Sequence, residues 1–390
     1  MFKDFKRKDP IFKDTWSLYL KFKNSLRINS LPTYRPGKSI EELQRELGFE
    51  DAIKLASNEN PLGPPSSAVD VIQNSAHLVH LYPDGDCYNL KKKISFKENI
   101  LPNQIIVGNG SNEVLELVAH TFLEKGDEAI MGEYCFIVYP IVTNLSEAFI
   151  VRIPMNNLAL NLDDILPKIT MATKVIFIAN PNNPTGAKKK KKDVEHFLEK
   201  VPANIIVVLD EAYAEYMGGE NTNVSTLINK YENLIILKTF SKVYGLAGLR
   251  VGYGMASPEM IGLLNKPREP FNVNQVAQLA ATVALDDEEH VRKSIELNKA
   301  GMIYLKAELT KMNIKSYPSY ANFILVEFKS SASTIYEELL KEGVITRPLE
   351  NYGLNNHLRI TVGLEHENVK LINALKKVVA KKNKKNYYNY

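Results

Sequence analysis

From about residue 100 onward, short apolar runs alternate with stretches of helical period. The runs are QIIVG, ending at Gly108, then DEAIMG, AFIVRI, KVIFIA, NIIVVLD, LIILKTF and LRVGYG. Several are apolar at consecutive positions rather than at every second one, the pattern of strands covered on both faces. The segment after QIIVG, SNEVLELVAHTFL, puts Val114, Leu117, Val118 and Phe122 on one helical face. Strands and helices in alternation predict an α/β, three-layer α/β/α architecture on a mostly parallel sheet. After Pro270 the pattern changes. A long helical region over residues 274–312 precedes NFILVEF and HLRITVG, with the helical STIYEELLKEG between them. That predicts a smaller α+β domain, joined in space by the segment before residue 75.

Charge sharpens the domain plan. The chain of 390 residues carries a net charge of +4 and is 45% hydrophobic, enough for a large core. Residues 1–27 hold eight Lys or Arg against three acids, and residues 376–385 hold six Lys, so everything between them is net acidic. The expected plan is a basic, flexible leader (1–27), an N-terminal arm forming part of the small domain (28–75), a large domain (76–273), a small domain (274–375) and a basic, flexible tail (376–390). Lys188 to Lys192 precede DVEHFLEKV and read as the start of an exposed helix, because neither aromatic interleaving nor a nucleic-acid motif surrounds them. No apolar run reaches the roughly 20 residues of a membrane span, and a cytoplasmic protein is expected. Cys87 and Cys135 lack neighbours at metal-ligand spacing, and no His pair has the spacing of a hydrolytic zinc site.

In open α/β sheets ligands bind beyond the carboxyl ends of the strands. There the sequence carries GNGSNE (108–113), NPNNPTG (180–186), LDEAY (209–213) and TFSK (239–242). Each has a plain reading: a loop, a turn, a helix-capping Asp, a surface Lys. Together they supply what pyridoxal phosphate needs. Lys242 offers an amine for its aldehyde. Ser111 and Asn112 at a helix N-terminus, with Ser241 and Arg250, offer donors for its phosphate. Asp210 offers a counter-charge that keeps the ring nitrogen protonated.

These stretches, with IKLASNENPLGPP, LYPDG, YCFIVYP, TFSKVYGLAGLRVGYG, REPFNVNQVAQLAATVALDD, RPLENYGL and LRITVG in this order, resemble the fold type I pyridoxal-phosphate-dependent aminotransferases, and within them the histidinol-phosphate aminotransferase family. The resemblance runs from about Tyr34 to Leu375. It implies the family's fold, with a seven-stranded sheet, and reversible amino transfer between histidinol phosphate and 2-oxoglutarate in histidine biosynthesis. Lys242 would be the covalent lysine and the proton-moving base. Asp210 would pair with the ring nitrogen, Tyr213 and Asn183 would bond the ring's phenolic oxygen, and Phe136 would stack on the ring. Tyr82 would reach the phosphate from the neighbouring subunit of a homodimer. Arg359 would receive the substrate carboxylate or phosphate, with Arg347 as a second phosphate-binding arginine and Tyr34 and Asn322 in the substrate pocket. Cys135 departs from the small residue or Thr frequent beside the stacking aromatic. Aromatic amino-acid aminotransferases and threonine-phosphate decarboxylase share the cofactor set and remain alternatives, as does a non-catalytic cofactor- or nucleic-acid-binding protein using the basic tails.

Overall fold

The computed structural model describes residues 28, 31, 37–49, 51–219 and 224–387. After a short first strand, β1 (Ile53–Lys54), the seven apolar runs become β2 (Ile105–Gly108), β3 (Glu128–Gly132), β4 (Phe149–Ile153), β5 (Thr173–Ala179), β6 (Ile206–Asp210), β7 (Leu234–Thr239) and β8 (Gly252–Met255). They form one seven-stranded sheet in the order β2-β8-β7-β6-β5-β3-β4. Only β8 runs against its neighbours, β2 and β7. The central strands β6 and β7 are buried throughout, whereas β4 at the sheet's edge has exposed positions.

Consecutive apolar residues in a strand point to opposite faces, so each run feeds two cores. Ile176, Ile178, Val207, Leu209, Leu234 and Ile236 belong to one core. Their neighbours Val175, Phe177, Ile206, Val208, Ile235 and Leu237 belong to the other. The helix Ser111–Phe122 adds Val114, Leu115, Leu117 and Val118 to the second core. Each such side chain stabilises the fold by about 1.5–3 kcal/mol on burial.

The smaller sheet, of order β12-β13-β10-β9, joins β12 (Arg347–Leu349), β13 (Leu354–Thr361), β10 (Phe323–Glu327) and β9 (Lys315–Ser316). The arm enters this region through β1, which pairs in parallel with β11 (Val344–Ile345).

The division between domains differs from the expected one. Ala277, Ala280, Ala281 and Ala284 of the helix Gln275–Ala284 pack into the large-domain core with Ala68 of the helix Ser66–Ser75. The helix Glu288–Lys311 then crosses over, with Val291 and Ile295 against the large core and Met302, Leu305 and Leu309 inside the small one. Periodicity shows which face of a helix is apolar but not which core that face meets. The tail also differs. The helix Glu365–Tyr387 runs past residue 376, Val378 is buried, and Lys376 and Lys377 pair with Glu308 and Glu342, each at 2.8 Å. The expected flexible tail is therefore largely helix, while the leader 1–27 lies outside the described residues. The helix begins inside the lysine run, at Lys191, and Lys188 sits 4.2 Å over the Tyr320 ring. Among the described residues no helix is long and apolar enough to cross a membrane, and no cluster suits a metal ion.

Candidate active site

Four strand ends open on one cavity of about 300 Å³. The turn after β7 delivers two polar side chains to it. Thr239 Oγ1 accepts a 3.1 Å bond from the Ser241 N–H, while Phe240 and Val243 are fully buried. Anchored on both sides by apolar residues, the chain presents Ser241 and Lys242 to the cavity. Gly245, with φ of +65°, lies so close to the Gly63 carbonyl that a side chain there would collide with it. The arm's loop is thereby held against the lysine turn.

Lys242 Nζ donates to the Ser57 carbonyl at 3.2 Å and lies 5.6 Å from the Tyr213 ring centre. Burial brings its pKa down to about 8, helped by Arg359 and Arg250 and opposed by Glu59 and Asp210. Asp210 ends β6, paired in register with Ala179 on one side and Leu237 on the other. Its Oδ2 accepts a 2.8 Å bond from the buried Tyr139 hydroxyl and its Oδ1 a 3.1 Å bond from the Ala212 N–H. Burial raises its pKa, against the Tyr139 and Ala212 bonds and the Lys242 charge. The enclosure thus pushes both the amine and the carboxyl toward neutrality, and a cation placed beside Asp210 would restore its charge.

At one end of the cavity lies an anion cup. The helix Ser111–Phe122 starts after Gly110 without a side-chain cap, which leaves its first N–H groups available. Gly252 lets that start approach the strands, since a Cβ there would clash with the Ser111 N–H. Arg250, itself in the left-handed region at φ of +55°, sends Nη1 to the Ala247 carbonyl at 3.1 Å and to Ser241 Oγ at 3.4 Å. Its Nη2 lies where a Cβ on Gly110 would be only 2.6 Å away. Two N–H groups, two hydroxyls and a guanidinium suit a phosphate. At the other end, Arg359 Nη1 donates to Asn183 Oδ1 at 2.6 Å and Nη2 to the Ala56 carbonyl at 2.7 Å, with Arg347 also on the wall. An aromatic ring, Phe136, lines the space between. The phosphate cup, the amine, the buried carboxyl and the ring together fit pyridoxal phosphate.

Of the residues singled out in the sequence, Ser111, Asn112, Phe136, Asn183, Asp210 and Tyr213 all line this cavity, as do Ser241, Lys242, Arg250, Arg347 and Arg359. Tyr82 does not. It is 82% exposed and stacks on Phe271 with ring centres 4.7 Å apart. Asn322 is buried outside the cavity lining and donates to the Asn58 carbonyl at 2.9 Å, so it braces the arm's loop. Tyr34 lies outside the described residues. Sequence reasoning passed over two buried polar residues. Tyr139 holds Asp210, and Asn58 donates to the Tyr213 hydroxyl at 2.9 Å while its own N–H donates to Thr361 Oγ1 at 2.9 Å. Both sit inside stretches already singled out, YCFIVYP and IKLASNENPLGPP.

Comparison with known proteins gives the family. Residues 50–375 match the family described as aminotransferase class I and II. Histidinol-phosphate aminotransferase 2 of Haemophilus influenzae (strain 86-028NP) is 48% identical over 353 residues, spanning 90% of this chain and 96% of that protein. Histidinol-phosphate aminotransferase 1 of Mannheimia succiniciproducens is 46% identical over the same shares. The crystal structure of histidinol-phosphate aminotransferase from Sinorhizobium meliloti in complex with pyridoxal-5'-phosphate superposes with a TM-score of 0.86 at 25% identity, covering 92% of this chain and 98% of that one.

Proposed function

The chain belongs to the class I and II aminotransferases, and from that premise we propose that it exchanges an amino group between histidinol phosphate and 2-oxoglutarate, giving imidazole-acetol phosphate and glutamate. The reading rests most on one observation: Lys242 and Asp210, from adjacent strand ends, share a cavity that has anion donors at both ends. One end suits a cofactor phosphate and the other a substrate anion.

When bound, pyridoxal phosphate supplies an aldehyde that joins amines and a ring that withdraws electrons from the substrate carbon. Ser111, Asn112, Ser241 and Arg250 would hold its phosphate, Phe136 would cover its ring, Asn183 and Tyr213 would bond its phenolic oxygen, and Asp210 would face its ring nitrogen. Asp210 is held for that task by Tyr139 and the Ala212 N–H, which hold one oxygen each. Lys242 Nζ would hold the cofactor covalently. Once the substrate amine displaced it, its freed amine would take the proton from the amine-bearing carbon of the substrate as general base, and burial in the cofactor-free protein already lowers its pKa to about 8. Arg359 is pre-aligned by Asn183 and Ala56, so its guanidinium keeps one geometry for the carboxylate or phosphate of either substrate. Arg347 adds a second donor for phosphate.

The reading includes a homodimer in the cytoplasm. Tyr82 and its neighbours Val79, Leu81 and Phe271 are exposed apolar side chains at one surface, which suits contact with a second copy, and Tyr82 would reach that copy's phosphate cup. Purified protein offered histidinol phosphate, phenylalanine and threonine phosphate separates the alternatives. Amine transfer from histidinol phosphate to 2-oxoglutarate is expected. Turnover of phenylalanine alone, or carbon dioxide release from threonine phosphate, overturns the substrate assignment.

A further inference from the structure

The turn Arg268–Asn272 lies outside the cavity lining, yet it touches both the anion cup and the Tyr82 loop. On the loop side, Arg268 Nη1 donates to the Gly85 carbonyl at 2.8 Å, and Phe271, in the left-handed region at φ of +56°, stacks on Tyr82. Gln278 Nε2 adds a 2.9 Å bond to the Asp84 carbonyl. On the cup side, Asn272 Nδ2 donates to Glu113 Oε2 at 2.8 Å and to the Val107 carbonyl at 3.1 Å, at the end of β2. Glu113 Oε2 also accepts from the Asn109 N–H, directly before the cup. Arg268 joins the two sides, because the same Nη1 bonds Asn272 Oδ1 at 2.9 Å, while its Nε is fixed by Asn265 Oδ1 at 2.9 Å.

Glu113 is the third residue of the cup's helix and carries a negative charge beside a site built for an anion. Left free, its carboxylate would compete for the first-turn N–H groups that a phosphate needs. Asn272 and the Asn109 N–H both draw Oε2 away from that position. They leave the N–H groups of Ser111 and Asn112 to the ligand. We propose that Asn272, braced by Arg268, is a positioning residue that fixes Glu113 and hence the anion cup, in register with the Tyr82 loop. The inference rests on the cofactor reading above and adds residues that do not touch the ligand.

The test compares Asn272→Ala, Glu113→Ala and Glu113→Gln with wild type. Each cofactor-free full-length protein is titrated with pyridoxal phosphate, followed by absorbance, and its thermal midpoint is measured. Freeing the Glu113 carboxylate predicts cofactor affinity about ten-fold weaker in Asn272→Ala, whereas Glu113→Ala removes the competing carboxylate and is expected to bind at least as tightly as wild type. Glu113→Gln keeps the acceptor while losing the charge, and it is expected to bind close to wild type. The KM for the amino donor should stay put in all three, since Arg347 and Arg359 are untouched. A merely structural role would lower the midpoint of Asn272→Ala and leave the cofactor affinity of the folded fraction unchanged, which overturns the proposal. Weakening in Glu113→Ala as large as that in Asn272→Ala overturns it too. Wild-type protein that takes up no cofactor overturns the cofactor reading, and this one with it.

Discussion

The Tyr139 hydroxyl donates a 2.8 Å hydrogen bond to Asp210 Oδ2 from a position with no exposure to solvent. The Tyr139 ring is also fixed, stacked on Phe177 with centres 4.9 Å apart and set edge-on to Phe136 at 5.7 Å. Tyr139→Phe therefore removes the bond and keeps the ring. Burial raises the Asp210 pKa and this bond is the first force lowering it, so the variant's Asp210 pKa moves higher still. The acidic limb of the kcat profile is expected to move to higher pH, with turnover down about ten-fold for a bond of about 1–2 kcal/mol. An unmoved acidic limb would remove Tyr139 from the catalytic apparatus.

Lys242 gives a pH signature without any substrate. Its amine becomes neutral as pH rises through about 8, so capture of pyridoxal phosphate by cofactor-free protein should speed up across that value. Glu59 opposes the downward shift and Arg359 supports it. Glu59→Gln should move the midpoint of the capture profile down and Arg359→Gln should move it up. Stopped-flow absorbance at a series of pH values reads both. In Lys242→Ala, borohydride should no longer fix the cofactor to the chain, as judged by intact mass.

Tyr82 makes the proposed dimer testable by complementation. Tyr82→Ala should be impaired and Lys242→Ala inactive. Hybrids made by unfolding and refolding the two together would contain one site with both residues intact. Recovered activity approaching a quarter of wild type is the expected order for random pairing of subunits that each supply one half of a site. A mixture no more active than Tyr82→Ala diluted alone would show that the tyrosine serves its own subunit.

Stability has its own marker in the largely enclosed pair of Lys238 and Glu98, whose Nζ to Oε distances are 2.9 and 3.0 Å. Glu98→Gln leaves the lysine charge enclosed and is expected to cost about 3–5 kcal/mol in urea unfolding. Lys238→Met combined with Glu98→Leu removes both charges and should lie much nearer wild type. A double variant as unstable as the single one would assign the loss to packing.

The sheet was legible because burial on both faces writes unbroken apolar runs, and each of the seven runs became a strand. The cofactor end was legible for a different reason: its residues sit at strand ends, where a Lys, an Asp and a Gly-bounded helix start are out of place in an ordinary turn. Tyr139 and Asn58 were not, since a polar group inside an apolar helix or a loop gains its meaning only from a partner far along the chain. The helix Gln275–Ala284 was assigned to the wrong core for a related reason, as an alanine face fits any close-packed neighbour. Lys376 and Lys377 read as part of a solvated tail because their partners come from elsewhere in the chain, Glu308 from the helix Glu288–Lys311 and Glu342 from the turn after Leu340.

Asn58 bonds Tyr213, 155 positions downstream, and Thr361, 303 positions downstream. The pocket's wall is thus sewn from three segments far apart in the polypeptide. During synthesis the lysine and the aspartate emerge long before Thr361 does, so a nascent or prematurely terminated chain holds the reactive amine without the enclosure that tunes it. Completion of the pocket then doubles as a test that translation reached Thr361.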